Sequence, residues 1–423
     1  MNLHHSEGIG GILEANGYRI VDRLDDADIV VLNTCMVRQK AEEKALGRLG
    51  AIASEKARRD LLIGVGGCMP QVRGAPLLER LPAVDFLFGS TDFRALPELI
   101  ASAVAGRRPC HLPRPEGLAS MPFRRAPGVR AMVTITEGCS SWCSYCVVPR
   151  ARGPLRSRPP EDVLREVEAA LGEGFAEILL LGQNVDSYGT DRREFGSFAQ
   201  LLREVASRGP RRVRFTTSHP RDVTSELIEA LADVDAVCNH IHLACQSGSD
   251  RILEAMNRGY TRTQFLDVVR RLRASVPGIN ITTDLIVGFP GETADDFART
   301  FSLVEEAQFG AAYVAMYSPR PGTRSAAMKD DVPSDVKERR LHVVLERQRE
   351  IAREQNERRI GETVEVLVEG ASRHGGSFGR TADHRTAVVD ARVAAGTMIP
   401  VRIEHASASA LHGVCTAPVS VEA

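Results

Sequence analysis

The sequence predicts an α/β protein built from three parts: a parallel α/β domain, a partial β/α barrel of the TIM type and a small C-terminal β-barrel. Helical and apolar strand patterns alternate through the first hundred residues, and six further units of this kind run from about residue 130 onward. Continuous apolar strands separated by helices are typical of parallel sheets covered on both faces. Beyond Gly361 the pattern changes to short alternating strands with glycines beside them, which is typical of a small all-β barrel.

Composition and charge exclude several other classes. Of the 423 residues 43% are apolar and 26% are charged, so the chain is neither disordered, collagen-like nor a small disulfide-stapled protein. The net charge of −1 does not indicate a nucleic-acid binder, and a GC-rich genome explains why 49 arginines accompany 5 lysines. The sequence shows no long apolar run and no signal-peptide pattern, which predicts a cytoplasmic protein without a membrane segment. Nine cysteines in that reducing compartment favour metal binding or catalysis over disulfides.

The predicted N-terminal domain covers residues 1–106. It opens with a helix that Ser6 is expected to cap and that ends at Gly17, without the strand that normally begins a βα series. Residues 107–125 contain four prolines and are expected to link this domain to the next. The apolar face of the first helix comprises Ile9, Ile12 and Leu13, and the following elements are a strand over 28–33, a helix over 37–58 and a strand over 61–65.

The predicted central domain covers residues 125–357, and the C-terminal domain covers residues 360–423. Six βα units in series favour a full or partial barrel over a short open sheet. A charged helix over 333–358 ends the central domain. The expected barrel strands are 131–136, 176–182, 212–217, 239–243, 280–287 and 311–317, and the expected C-terminal strands are 363–370, 386–390 and 398–405.

Three cysteines with close spacing, Cys139-x3-Cys143-x2-Cys146, carry the strongest chemical signal. Thiolates this close can wrap one soft metal centre. A structural zinc needs four ligands, and the next downstream histidine is His219, whereas an iron–sulfur cluster with three protein thiolates leaves one iron open for a substrate or cofactor. The spacing therefore favours a cluster over zinc or three unconnected thiols. The surrounding residues 123–158 hold seven arginines and one acid, which is either a solvated face or a basic surface near the cluster.

A second pair of cysteines ends the first two predicted strands. Cys35 and Cys68 should reach the same edge of a parallel sheet, where ligands usually bind. Gly66 and Gly67 would allow a bulky group to approach the backbone. Metal ligation is therefore favoured over two buried structural thiols. Cys110, Cys238 and Cys415 are not paired with another cysteine in this way and are expected to be inert.

The cysteine triad at the end of a first barrel strand resembles the radical S-adenosylmethionine (SAM) superfamily. This resemblance implies a 4Fe–4S cluster whose open iron chelates SAM and whose electron releases a 5′-deoxyadenosyl radical, with the protein supplying position and exclusion of water. No catalytic side chain beyond the cluster ligands is assigned. The residues that the resemblance assigns to cofactor binding are Gly182, Gln183, Asn184, Ser218, Gln246, Asp284 and Arg152.

Nearly the whole chain resembles the methylthiotransferase family, which combines an N-terminal cluster domain, a radical SAM core and a C-terminal TRAM domain. The segments NTCMVRQKAEEK, LGQNV and RFTTSHP resemble the branch that methylthiolates isopentenylated adenosine in tRNA. The resemblance implies two 4Fe–4S clusters, the second on Cys35 and Cys68, and SAM. Its implied partners are the tRNA anticodon loop, a reductant and a sulfur donor, with no membrane and a monomeric chain. The alternatives are a methylthiotransferase for threonylcarbamoyladenosine tRNA or a ribosomal-protein aspartate, and a non-catalytic iron–sulfur RNA-binding protein.

The expected reaction inserts sulfur and a methyl group at C2 of an adenine next to the anticodon. An aromatic C2–H is neither acidic nor electrophilic, so radical chemistry suits it better than acid–base chemistry. The base must leave its stack to reach a buried centre, and an anticodon loop already presents unstacked bases.

The chain departs from the family in two places. The family binds its N-terminal cluster with three cysteines, the first in a Cys-x-Met-Asn element, and this sequence begins at Met1-Asn2. A start codon assigned too late would explain that gap together with the missing strand. Two thiolates should hold a cluster weakly; Cys245 is a candidate substitute ligand, although a small buried apolar role is favoured for it. In the second departure, Leu155 stands where the family often has Glu.

The C-terminal domain is expected to add tRNA affinity through a shaped patch. It carries five arginines against seven acids, so non-specific phosphate binding should be weak. The alternative is a barrel that only packs on the core. The patch comprises Arg373, His374, Arg380, His384 and Arg385, of which Arg380 and Arg385 are the predicted RNA-binding residues.

Overall fold

The computed structural model describes residues 1–36, 39–114, 121–373 and 375–417. It confirms the predicted α/β class, with parallel sheets and a small closed barrel, while the predicted domain boundaries stay a prediction. No helix among the described residues has the length and apolar character that crossing a bilayer requires. The chain forms two compact units, the first comprising Met1–Ala126, Thr136–Arg158 and Ser318–Ala327 and the second comprising Pro127–Ile135, Pro159–Tyr317 and Met328–Ala423.

The first unit is built on a four-stranded parallel sheet. Its elements in chain order are α1 (Asn2–Ala15), β1 (Ile29–Thr34), α2 (Gln39–Lys56), β2 (Leu62–Gly67), α3 (Cys68–Arg73), α4 (Pro76–Arg80), β3 (Phe86–Phe88), α5 (Leu96–Val104) and β4 (Cys110–His111). The strands lie in the order β1-β2-β3-β4. Phe86 and Phe88 pack with α1 and α5, whereas Leu87 packs on the other side with Leu49 and Ile52 of α2. The sheet is thus covered on both faces, as predicted.

Two details of this unit differ from the predictions. Ser6 does not cap α1, which begins at Asn2; its hydroxyl donates instead to the Asn2 carbonyl within the helix, 3.2 Å away. The predicted apolar face is confirmed, since its three members are buried. The predicted linker 107–125 is also partly wrong, because Cys110–His111 pairs with β3 as the edge strand β4.

The predicted strand over 131–136 is divided between the two units. Its first part is β5 (Arg130–Thr134), which belongs to the second unit. Its second part is β6 (Thr136–Glu137), which pairs antiparallel with β7 (Arg156–Ser157) after the intervening α6 (Val148–Arg152). The prediction of one continuous strand is wrong because β6 pairs with β7, which follows the cysteine loop in the chain.

Six parallel strands form the partial barrel of the second unit. The elements after β7 are α7 (Pro160–Gly172), β8 (Glu177–Leu181), α8 (Phe198–Ser207), β9 (Arg212–Thr216), α9 (Ser225–Asp233), β10 (His240–His242), α10 (Asp250–Ala255), α11 (Arg262–Ser275), β11 (Asn280–Val287), α12 (Ala294–Ala307), β12 (Ala311–Met316) and α13 (Ser334–Glu357). One sheet has the order β5-β8-β9 and another the order β10-β11-β12. Parallel bridges Val213–Val237 and Ser218–Leu243 continue the ladder between them. The predicted partial β/α barrel is confirmed.

The two faces of these strands differ in chemistry. Successive residues of a strand point to opposite faces, and one set, including Val213, Ile241 and Ile281, joins the apolar core with the surrounding helices. The alternate set lies on the inner face and is polar although it is buried. Its members include Glu177, Arg212, Arg214, His240, His242, Asn280 and Thr282. Buried polar groups need hydrogen-bond partners, and the C-terminal barrel supplies several of them.

The C-terminal part is a closed five-stranded barrel, as predicted, with the order β13-β14-β15-β17-β16. Two of its strands were missed because their glycines suppress the strand pattern. Those glycines allow neighbouring backbones to approach: a Cβ on Gly379 would collide with the Leu367 carbonyl, and one on Gly413 with the Arg402 carbonyl. The strands are β13 (Thr363–Ala371), β14 (Ser377–Thr381), β15 (Thr386–Val389), β16 (Met398–Ala406) and β17 (Leu411–Cys415).

Backbone carbonyls of this barrel accept hydrogen bonds from the inner face of the strands. Arg214 donates to the Thr381 and Ala382 carbonyls at 2.7 and 3.1 Å. Asn280 donates to the Asp383 carbonyl at 2.8 Å. The C-terminal barrel therefore completes the polar interior of the partial barrel.

Candidate functional site

The three predicted cluster cysteines lie on a loop whose ends are tied together. Gly138 has a φ of 72°, and a side chain there would collide with the Gly153 carbonyl. The Cys139 amide donates to that same carbonyl at 3.2 Å, and the Ser140 hydroxyl accepts from the Leu155 amide at 3.1 Å. Because β6 and β7 also pair at its base, the loop is closed like a hairpin and its cysteines are held in place.

The three cysteines of the triad are half-buried. The Ser141 amide donates to the Cys139 sulfur at 3.5 Å, and the Cys146 amide donates to the Cys143 carbonyl at 3.1 Å. In the described residues no three His, Cys, Asp or Glu side chains surround a point where a single metal ion would fit. A 4Fe–4S cluster takes one thiolate per iron, so its ligands need not converge on one point. The residues present fit a cluster better than a zinc ion.

A buried carboxylate anchors the base of this loop. Glu137 is 3% exposed and accepts from His5 at 2.7 Å and from Arg156 at 3.3 Å. Burial lowers the pKa of His5 to about 4, so its neutral ring donates from Nε2. Burial alone raises the pKa of Glu137, but His5, Arg152 and Arg156 together hold it below its usual value. The network ties α1 to the cysteine loop and was not visible in the sequence, because its members lie far apart along the chain.

Cys35 and Cys68 lie side by side, as predicted. β1 and β2 are parallel and Thr34 is in register with Gly67, so the next residue of each strand is a cysteine. Cys68 begins α3 and is buried; this burial raises the pKa of its thiol, and Arg152 beside it opposes the rise. The two thiols therefore lie next to each other at one edge of the sheet, and their ligation of a cluster stays a prediction.

The expectation that Gly66 and Gly67 make room for a cofactor is not supported by their contacts. A Cβ on Gly66 would overlap the ring of Phe88. Gly67 has a φ of 90°, and a side chain there would collide with the Thr34 carbonyl. Both glycines are required by packing within the sheet itself.

The triad loop and the cysteine pair belong to the same compact unit. The helix that follows the triad, α6, packs on α3: Met36, Cys68 and Ala151 form one buried cluster, and the Ser90 hydroxyl donates to the Ala151 carbonyl. Arg152 at the end of α6 is buried and lies beside Cys68.

The other cysteines do not join these groups. Cys110 is exposed on the edge strand β4, away from β1. Cys245 is fully buried in the second unit; its thiol donates to the Ser247 carbonyl at 3.1 Å, and burial raises its pKa to about 12. Burial likewise raises the pKa of Cys238 to about 11. These environments favour an inert apolar role over ligation.

The remaining predicted cofactor residues lie at the carboxyl edge of the second unit's strands, where β/α barrels bind ligands. Gly182 and Gln183 directly follow β8, and the Gly182 amide donates to the Thr216 carbonyl at 3.2 Å. Asn184 is 3% exposed; its amide donates to Asp222 at 2.6 Å, while its side-chain oxygen is buried without a hydrogen-bond partner in the described residues. That oxygen is a candidate acceptor for a cofactor amino group.

Ser218 follows β9 and is held by a carboxyl group that the sequence analysis missed. Its hydroxyl donates to Asp186 at 2.9 Å, and the His219 amide donates to the other oxygen of Asp186 at 3.2 Å. Burial raises the pKa of Asp186 to about 8, and Asp222 adds to the rise. Asp186 lies two residues after Asn184 at the end of the same strand. This position in the sequence could have identified it as a candidate site residue.

Gln246 and Asp284 are brought together on neighbouring strands. Gln246 has a φ of 76°, and its amide donates to the Asp284 carbonyl at 2.8 Å. The Asp284 carboxylate accepts from His242 at 2.9 Å.

The two predicted RNA-binding arginines have different surroundings. The Arg385 side chain is 12% exposed and donates to Asp383 at 2.8 Å, to Gln355 at 3.0 Å and to Asn356. These contacts favour packing of the barrel on α13. Arg380 is 32% exposed and faces Glu369 at 3.4 Å. Arg373 is exposed, and His374 lies outside the described residues.

Comparison of the sequence with family models and with known proteins shows which family the chain belongs to. The model of the radical SAM superfamily matches residues 133–304, and the model described as uncharacterized protein family UPF0004 matches residues 1–89. The tRNA-2-methylthio-N(6)-dimethylallyladenosine synthase of Pelotomaculum thermopropionicum is 43% identical over 98% of this chain and 95% of its own length. The synthase of that name from Moorella thermoacetica is 47% identical over 88% of this chain and 86% of its own. The chain belongs to the radical SAM methylthiotransferase family.

A solved structure agrees with the fold. The radical SAM methyltransferase TsrM from Kitasatospora setae, with cobalamin and a 4Fe–4S cluster bound, has a TM-score of 0.59 at 16% identity, covering 76% of this chain and 71% of that one. Membership of the radical SAM methylthiotransferase family makes SAM and 4Fe–4S clusters the cofactors of this enzyme.

Proposed function

We propose that this enzyme replaces the C2 hydrogen of N6-isopentenyladenosine, next to the anticodon at position 37 of tRNA, with a methylthio group. The observation that carries the proposal is the packing of α6 on α3 within the first unit, which joins the triad loop to the strand pair that ends in Cys35 and Cys68. A radical SAM enzyme without sulfur insertion needs only the triad. Relatives that match nearly the whole chain bear the corresponding name.

In this proposal the cysteines bind the clusters, and neighbouring groups hold the cysteines in place and stabilise their negative charge. A 4Fe–4S cluster, when bound at the triad, supplies the electron for reductive cleavage of SAM. Cys139, Cys143 and Cys146 bind it, and the closed loop keeps their spacing. The Ser141 amide stabilises negative charge on the Cys139 sulfur. Arg152 stabilises a thiolate at Cys68 in the same way.

Four polar residues of the second unit are proposed as cofactor contacts. The buried Asn184 oxygen is a candidate acceptor for an amino group, and Ser218, Gln246 and Asp284 are further polar candidates. The proposal is supported by the parallel strands, which bring Asn184, Ser218 and Gln246 to their carboxyl edge, and by the Gln246 amide, which donates to the Asp284 carbonyl.

The tRNA substrate offers an unstacked anticodon-loop base, which suits a centre that acts on one base atom. A reductant must deliver the electron, and a sulfur donor must supply the inserted atom. We place the reaction in the cytoplasm and assign it to a monomer. Of the predicted patch, Arg373 is exposed and Arg380 is partly exposed, and we assign contacts with RNA phosphates to these two.

The test uses the full chain, reconstituted anaerobically with iron and sulfide and supplied with SAM and dithionite. Isopentenylated tRNA should yield 2-methylthio-N6-isopentenyladenosine on nucleoside mass spectrometry, whereas tRNA lacking the isopentenyl group should not. A variant with all three triad cysteines changed to Ala should form neither this product nor 5′-deoxyadenosine. A product only on threonylcarbamoyladenosine tRNA or on a ribosomal-protein aspartate, or no product at all, would reject the proposal in favour of the corresponding alternative.

A further inference from the structure

Four side chains on the inner face of β10 and β11 form an unbroken series of hydrogen bonds. His240 Nε2 lies 3.1 Å from the Thr282 hydroxyl, and that hydroxyl lies 3.0 Å from His242 Nδ1. His242 Nε2 lies 2.9 Å from the Asp284 carboxylate. The parallel register of His242 with Thr282 places these residues beside one another. The series runs towards the carboxyl end of β11.

The carboxylate at the end of the series determines the direction of the bond that it receives. A carboxylate only accepts, so His242 must donate to Asp284 from Nε2. The Thr282 hydroxyl can both donate and accept, so it bridges His242 Nδ1 and His240 Nε2 in either direction. Asp284 therefore determines which nitrogen of His242 donates to it.

The surroundings keep this arrangement neutral at its buried end. Burial lowers the pKa of His240 well below its usual value, and Arg214 lowers it further. His240 also packs against His384 of the C-terminal barrel, with ring centroids 4.7 Å apart. His242 is itself buried and its ring packs against Tyr313 at 5.8 Å. Packing and hydrogen bonds together restrict the His242 ring to one orientation.

We propose that His242 is a positioning residue that holds the Asp284 carboxylate in the orientation in which it contacts the cofactor. Asp284 is the exposed end of the series, with 27% of its side chain accessible, whereas the His242 side chain is 10% exposed. A carboxylate free to rotate must lose that freedom when it binds a ligand, and a fixed N–H donor removes this cost beforehand. The inference rests on the proposed function only in taking Asp284 as a cofactor contact.

The test measures SAM affinity of the reconstituted full chain by equilibrium dialysis, together with KM and kcat for SAM cleavage. His242→Phe keeps a ring against Tyr313 and removes the donor; we expect the Kd for SAM to rise about tenfold, with KM rising more than kcat falls. His242→Gln can still donate from its side-chain amide, so its Kd should stay within about threefold of the parent value. Thr282→Val should give an intermediate loss, because it removes the hydrogen bond at Nδ1 that helps to hold the His242 ring.

A double-mutant cycle separates positioning from structural support. If His242 acts through Asp284, His242→Phe combined with Asp284→Asn should bind SAM no worse than Asp284→Asn alone. His111→Phe is the matched control: it removes a half-buried histidine 3.4 Å from a carboxylate, that of Asp92, and should leave the Kd for SAM unchanged.

Additive losses in the cycle, or an unchanged Kd in His242→Phe, would overturn the inference. Thermal unfolding and iron content identify a variant that fails to fold, and in that case the His242→Gln and Thr282→Val results decide. SAM binding is measured without tRNA, so failure of the parent chain to methylthiolate tRNA would reject the proposed function and leave this comparison standing.

Discussion

The strongest structural prediction concerns Arg214, which joins the partial barrel to the C-terminal barrel. Its side chain is 2% exposed and donates to Glu177 at 3.0 Å as well as to the Thr381 and Ala382 carbonyls. Arg214→Met keeps the volume and apolar stem of the side chain but removes its charge. The variant therefore leaves a fully buried carboxylate whose remaining ion-pair partner among the described residues is Arg130.

The expected cost follows from these contacts. Removing one partner of a buried ion pair typically costs about 3–5 kcal/mol, since the other charge stays buried. The free energy of unfolding should therefore fall by about 3–5 kcal/mol in Arg214→Met. Adding Glu177→Gln should restore at least about 1 kcal/mol, because it removes the uncompensated charge; Arg130 still pairs with Glu369, 2.7 Å away.

The assay is urea unfolding followed by circular dichroism, with amide hydrogen exchange at the Thr381–Arg385 turn as a local readout. Arg165→Met is the matched control, since it removes an arginine that is 68% exposed and 2.8 Å from Asp162. Exposed ion pairs contribute little, so the control should lose less than about 1 kcal/mol.

The effect should also depend on pH. Burial alone raises the pKa of Glu177, but Arg214 and Arg130 lower it below its usual value. A carboxyl whose folded pKa is depressed contributes stability that is fully present above its unfolded pKa of about 4.3 and is lost as the pH falls through the folded value. The difference between the parent and Arg214→Met should therefore be constant near neutral pH and shrink below about pH 4. A neutral-pH loss below about 1 kcal/mol, or a double variant no more stable than Arg214→Met, would refute the reasoning.

Three further predictions concern the cysteines, the first unit and RNA binding. Cys245→Ala should leave the iron content of the reconstituted chain unchanged, because the buried thiol is protonated and donates to the Ser247 carbonyl. Gly66→Ala should lower the free energy of unfolding by about 1–3 kcal/mol, since the new methyl group overlaps the Phe88 ring. Arg373→Gln should weaken tRNA binding and reduce its salt dependence by about one phosphate contact, whereas Arg385→Gln should mainly lower stability, because its partners lie within the protein.

Each of these has a direct control. Iron lost from Cys245→Ala would restore its candidacy as a substitute ligand. Gly47→Ala on α2 places its methyl group in open space, so it should stabilise the protein by about 1 kcal/mol; a similar gain in Gly66→Ala would contradict the packing argument. If Arg373→Gln kept its tRNA affinity while Arg385→Gln lost tRNA binding without losing stability, Arg385 and not Arg373 would be the residue that contacts RNA.

Features that depend on residues close in sequence could be predicted from the sequence alone. The strand over 280–287 was predicted with the bounds of β11, because a long apolar run between two helical patterns is a local signal. The triad was found because its ligands lie within eight residues. Cys35 and Cys68 were paired because parallel strands bring their carboxyl ends to one edge, and the register of β1 with β2 bears this out.

Features that depend on distant partners were decided only by the tertiary structure. Arg214 and its carbonyl partner at Thr381 are 167 residues apart, and the C-terminal barrel supplies hydrogen-bond partners for the polar inner face of the strands. The sequence shows the charge of Arg385 but not Gln355 and Asn356, to which its side chain donates; its contact with RNA stays a prediction. Strands β14 and β17 were missed because glycine lowers the strand pattern, while the close approach that requires glycine exists only once neighbouring strands are in place. Local periodicity specifies the elements, and the partners of buried polar groups are specified by packing.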